Sequence, residues 1–173
     1  MVTALLQAYL DILDYDGMKS VLKEADLMNI KNSRDVDPND TIEFLSFYKI
    51  IDAQNLLLFG CYRLLYEVGK KLAFYLFPYG KDFEEIVGEI TDLIKTNWSV
   101  EIVEKEENSM TVEIENCVFC GEAGVPCNLF TGFLVQSLKK ALPDNRRVIY
   151  SSDKEDAKES EPNSFILKLR WKK

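Results

Sequence analysis

The sequence predicts an α+β fold in which N-terminal helices pack on a four-stranded antiparallel sheet, with strands, helix and strands in the order β-β-α-β-β in the C-terminal half. Apolar residues recur at helical spacing through about residue 97, and the period then drops to two in 100–115 and again in 165–171. With 47% of its 173 residues apolar, the chain also has the material for one core. We therefore expect 1–173 to form a single domain in three parts: a helical hairpin and loop (1–40), central helices (41–97) and the ββαββ half (98–173).

Val2, Leu5, Leu6, Tyr9, Leu10 and Leu13 form one apolar stripe, so 2–14 reads as an amphipathic helix. Asp16 is expected to cap a second helix carrying Met18, Val21, Leu22 and Ala25, up to about Asn29. Residues 31–40 are polar and turn-rich and read as a loop. In the apolar stretch 42–77, a break is expected near Asp52, then one long helix from about Ala53 to Phe77, stopped by Pro78 and Gly80. Asp82 is a good cap for a further helix with Phe83, Ile86, Val87, Ile90, Leu93 and Ile94 on one face.

Val100 and Ile102 alternate with charges, 106–109 supplies a turn, and Met110, Val112 and Ile114 alternate with Thr111, Glu113 and Glu115. This is the pattern of a half-buried hairpin. Residues 128–142 return to helix with Leu129, Phe133, Leu134, Leu138 and Leu142, ended by Pro143. Two more strands follow at 148–150 and 165–171, joined by an acidic loop over 151–162.

A net charge of -8 repels phosphate backbones, which argues against nucleic acid as a partner. No apolar run reaches the roughly 20 residues of a membrane span, and residues 1–6 lack the marks of a signal peptide, so a cytoplasmic location is expected. The chain has no histidine. That removes Ser-His and Cys-His pairs and the side chain best matched to proton transfer near neutral pH, which favours binding over catalysis without closing the question.

Cys117, Cys120 and Cys127 fall within eleven residues. Two cysteines separated by two residues can reach one tetrahedral ion, with Cys127 as a third ligand and Cys61, Glu122, Glu115 or water as the fourth. The competing reading makes all three small buried hydrophobes. Both stay open. From Phe59 to Tyr79 there are seven aromatics, more than one helix face needs. The surplus suggests an apolar ligand pocket, with Phe59, Tyr62, Tyr66 and Phe74, together with Phe130 and Phe133, as its candidate lining.

Several stretches together resemble the 4-vinyl-reductase-like (hydrocarbon-binding) domain family, which is related in fold to small subunits of the TRAPP transport complexes. They are Leu10 to Gly17 with Val21 to Leu27, then Leu64 to Leu72 around Gly69, and the cysteine turn with Pro126-Cys127-Asn128-Leu129-Phe130-Thr131-Gly132-Phe133-Leu134. The resemblance implies a non-catalytic, commonly homodimeric domain with an apolar cavity for a small hydrophobic molecule and, in some members, a structural zinc. Cys127 matches one zinc ligand of the family's phenol sensors. The last strand pair lacks the two cysteines those sensors use, so a zinc here would fall to Cys117, Cys120 and Cys127. The alternative implied by the trafficking relatives is a protein-interaction or scaffold subunit.

Overall fold

The computed structural model describes residues 1–30, 42–78, 81–120, 127–153 and 163–172. Its helices are α1 (Val2–Glu24), α2 (Phe44–Leu57), α3 (Tyr62–Leu76), α4 (Phe83–Leu93) and α5 (Asn128–Ala141). Its strands are β1 (Ser99–Lys105), β2 (Ser109–Glu115), β3 (Arg147–Asp153) and β4 (Phe165–Lys172). The expected α+β class and the ββαββ order are both present, with an antiparallel sheet ordered β1-β2-β4-β3.

Residue alternation sets the sheet's orientation. Met110, Val112 and Ile114 on β2 and Phe165, Leu167, Leu169 and Trp171 on β4 turn inward, while their neighbours face outward. The two strands pair with Val112 opposite Leu167 and Ile114 opposite Phe165, so the central strands present one continuous apolar surface to the helices.

The N-terminal hairpin takes a different form from the expected one. Residues 2–24 continue as one kinked helix, with Asp14 at φ 63°. The cap at the kink is Asp14 rather than Asp16: its Oδ1 accepts the backbone N–H groups of Asp16 (2.9 Å) and Gly17 (3.0 Å). The break in the central stretch lies at 58–61, not at Asp52. Asp52 sits exposed on α2, where a helix tolerates it, whereas Gly60 adopts φ 76°, a conformation that ends helices without strain only at glycine. Asp82 caps α4 in a capping box with Glu85. The loop expected at 31–40 lies outside the described residues, as does most of the acidic loop of 151–162.

Helices α3 and α5 touch backbone to backbone. A Cβ on Gly69 would fall 1.8 Å from the carbonyl oxygen of Leu129, and one on Gly132 would fall 2.1 Å from that of Tyr66. The two glycines are what let these helices close to this distance, and they fix the start of α5 against the middle of α3. Among the described residues, no helix is long and apolar enough to cross a membrane.

Candidate functional site

Beneath the seam lies an aromatic column. The rings of Phe119, Phe130 and Phe133 stack in sequence at 5.3 and 5.5 Å, nearly parallel. Trp98 meets Phe119 and Phe130 edge-on, and Phe47 closes on Phe119 at 5.8 Å. All five are buried, and the indole N–H of Trp98 donates to the carbonyl of Ile94, so the polar end of that ring is satisfied.

A pocket of about 540 Å³ opens beside the column. The C-terminal half of α2 supplies Asp52, Asn55 and Leu56, the α2–α3 joint supplies Leu58, Phe59 and Gly60, and α3 adds Tyr62 and Leu65. The far wall is Phe119, Cys120, Cys127, Asn128 and Leu129. The volume and the mainly apolar lining suit a small organic molecule.

That wall is held by backbone geometry. The N–H of Cys120 donates to the carbonyl of Cys117 (3.2 Å), and the N–H of Cys117 donates to that of Asn163 (3.0 Å), which ties the turn to the residues before β4. Cys127 precedes α5, and its carbonyl accepts the N–H of Thr131. The sulfurs of Cys117, Cys120 and Cys127 all lie within 4.8 Å of one another. Burial pushes the Cys117 thiol well above its usual range, and hydrogen bonding with Cys117 and Cys127, reinforced by burial, does the same to Cys120. Both are protonated at neutral pH and unsuited to nucleophilic attack.

A polar chain crosses the core behind the pocket. The Tyr9 hydroxyl donates to Gln54 Oε1 (2.8 Å), Gln54 Nε2 donates to Asn55 Oδ1 (3.0 Å), and Asn55 Nδ2 reaches the carbonyl of Phe119 at 3.5 Å. One pocket residue is thereby oriented by a fully buried pair.

The six aromatics proposed from the sequence fall in three places. Phe59 and Tyr62 line the pocket, although they are 67% and 46% exposed and so form its mouth. Phe130 and Phe133 are in the buried column. Tyr66 stacks on Tyr150 at 5.5 Å, where burial and that neighbour push its hydroxyl up to about 12, and Phe74 lies under the Lys140 ammonium at 4.8 Å. The sequence reading missed Asp52, Asn55, Phe119 and Asn128. Their only local signal is a set of polar residues at 52, 54 and 55 inside an apolar run.

Comparison of the sequence with protein-family models and with curated proteins gives no match. Solved structures do match. An oxygen-binding H-NOX domain related to soluble guanylate cyclases, solved as its oxygen complex, superposes with a TM-score of 0.63 at 14% identity, covering 99% of this chain and 93% of that one. The unliganded Fe(II) H-NOX protein from K. algicida gives 0.61 at 13% identity, covering 99% and 96%. A T. tengcongensis H-NOX mutant gives 0.61 at 15%, covering 99% and 96%. The fold is that of H-NOX domains.

This overturns the resemblance to 4-vinyl-reductase-like domains and TRAPP subunits, since the matching structures are H-NOX domains. The motifs that carried it have local causes. Gly69 and Gly132 are required by the α3–α5 contact, and Gly17 follows the kink that Asp14 caps. The structural zinc is corrected along with it, because heme is the cofactor named in studies of H-NOX structures. The closed fourth position is not found either. Cys61 is exposed ahead of α3, Glu115 accepts a hydrogen bond from Ser99, and among the described residues the three sulfurs form a group by themselves. Glu122 lies outside the described residues.

Proposed function

We propose that the chain is a non-catalytic small-molecule-binding or sensing domain on the H-NOX fold, with its ligand in the pocket between α2, α3 and the start of α5. The observation that carries this reading is the pocket itself: about 540 Å³, apolar on most sides, and walled by a rigid seam and aromatic column. The H-NOX structures support it as relatives in fold, one of them an oxygen-binding domain. The homodimer and the TRAPP-like scaffold role rested on the overturned resemblance and lose their basis with it.

Heme, named for the H-NOX family, does not fit the residues of this chain. There is no histidine for the iron. The Cys120 thiol on the pocket wall is held protonated by its neighbouring thiols and by burial, so it is a poor iron ligand. Among the described lining residues no Lys or Arg is present to meet the carboxylates of heme, and the one formal charge is that of Asp52, of the same sign. On this reading the ligand is a small, mainly apolar organic molecule and not heme.

A thermal-shift panel of aromatic and apolar compounds tests the reading. At a ligand concentration of a hundred times Kd, binding to the folded state stabilises it by about 2.7 kcal/mol, a shift of several degrees. Leu56→Trp, a substitution at the exposed pocket rim, should abolish the response. No response to any compound, or one-to-one hemin binding with a sharp Soret band, would count against it.

The grouping of Cys117, Cys120 and Cys127 favours a narrower second reading, that this wall takes up a thiophilic ion. Cadmium titration followed by sulfur-to-metal absorption tests it. Absorption that persists in the Cys117→Ser variant would remove these residues from the role.

A further inference from the structure

The charge pattern of the pocket identifies the kind of molecule it accepts, an inference that rests on the pocket being the binding site. Thirteen described residues line it, and of these only Asp52 carries a formal charge at neutral pH. Among the described residues Asp52 forms no ion pair, and its carboxylate stands on α2 at the side of the pocket where Asn55 and Leu56 follow it. The mouth carries two aromatic side chains, Phe59 and Tyr62, both substantially exposed and therefore with surface left to cover. The inner end is Leu65, Phe119 and Leu129, which offers only apolar contact.

A carboxylate that shares a pocket with exposed aromatic rings and an apolar floor is suited to a cation attached to an apolar body. The ammonium donates a charge-assisted hydrogen bond to the carboxylate and is attracted by the ring faces, while the body fills the floor. An anion meets the reverse: repulsion from Asp52, no cation among the described lining residues, and the field of a chain with net charge -8. We propose that the pocket recognises small aromatic or aliphatic amines in their protonated form, with Asp52 as the group that selects the charge and Phe59 and Tyr62 as the rings at the mouth of the same pocket.

Three compounds of matched size separate charge from shape: 2-phenylethylamine, 2-phenylethanol and 3-phenylpropanoate. Calorimetric titration into the full chain is expected to give the amine about tenfold tighter binding than the alcohol, and no measurable binding of the acid. In Asp52→Asn the amine should fall to the level of the alcohol while alcohol binding stays unchanged. Asp52 is exposed, so the variant should keep its melting temperature, and circular dichroism checks this. Equal affinity for amine and alcohol, tighter binding of the acid, or an amine preference that survives Asp52→Asn overturns the proposal while leaving the pocket as a binding site. If none of the three binds and the wider panel is also silent, the pocket reading falls and this one with it.

Discussion

The inner face of α3 and its N-terminal joint are built on opposite terms. Along its inner face, Gly69 sits against the backbone of α5 with no room for a methyl group, and Leu65, Val68, Leu72 and Ala73 are buried. At its N-terminal end, the joint from α2 leaves Leu56, Leu57, Phe59, Tyr62 and Leu64 exposed, with the pocket open between them. One region uses its apolar surface for internal contact and the other keeps it for something outside. A seam with no slack holds the far wall of the pocket in place, so that ligand contact can be left to side chains at the mouth, which contribute little to folding.

The sharpest way to break this contrast is to force the seam apart. Gly132→Val should be the most damaging single change, costing about 3 kcal/mol or more, because the obstruction is a carbonyl of the facing helix and not a side chain that can rotate away. Urea denaturation measures it. Tolerance of valine at 132 would mean that the helices are not locked.

Raising the pH loads the same region through its thiols. Below the ordinary thiol value of 9.0, Cys117 and Cys120 hold their protons whether the chain is folded or not. Above it, the unfolded chain releases them while the folded chain, where both values are raised, keeps them. Stability should therefore decline as the pH rises past 9.0, by up to about 1.4 kcal/mol per thiol for each pH unit. Replacing both by alanine should flatten that limb of the stability profile relative to the parent chain.

A smaller loss is expected behind the pocket. Tyr9→Phe deletes the donor to Gln54 Oε1 and leaves a fully buried acceptor unsatisfied, at about 1 to 3 kcal/mol. Adding Gln54→Met should recover part of this, since the buried acceptor is then gone and Asn55 Oδ1, which loses the Gln54 donor, is only half-buried and can turn to water. A double variant no better than the sum of its parts would show that the pair does not act as a unit.

The sheet and its flanking helix were legible because alternation in 110–114 and 165–171 reports a single fact, one wet face and one dry, that local sequence carries completely. The break between α2 and α3 was less legible. Both helices are apolar through the joint, and the deciding residue, Gly60, matters for its φ and not for its hydropathy. Asp14 was missed as a cap because it lies inside a helical stripe, and only the kink shows that its carboxylate faces two free N–H groups. The pocket was legible only at Phe59 and Tyr62. Its other walls come from α2, the cysteine turn and α5, and the last of these is set against α3 by the contact of Gly69 with Leu129 and of Gly132 with Tyr66, a long-range register that no local pattern encodes. The absence of histidine was visible from the start, and it removes from this chain the imidazole that could serve as an axial ligand to a heme iron.

The least disruptive test addresses the open end of the comparison. Phe59 is 67% exposed and follows the end of α2, so its truncation removes little packing, and Phe59→Ala should change stability by no more than about 0.5 kcal/mol. Its expected effect is on binding: the ligand-dependent rise in melting temperature should shrink, because the ring forms part of the pocket mouth and would lose its contact with the bound molecule. Intact stability with a weakened response places this end of α3 in service of the ligand. A large loss of stability with an unchanged response would mean the reverse, that the exposed aromatics hold the joint together and the contrast between the inner face of the helix and its N-terminal joint is false.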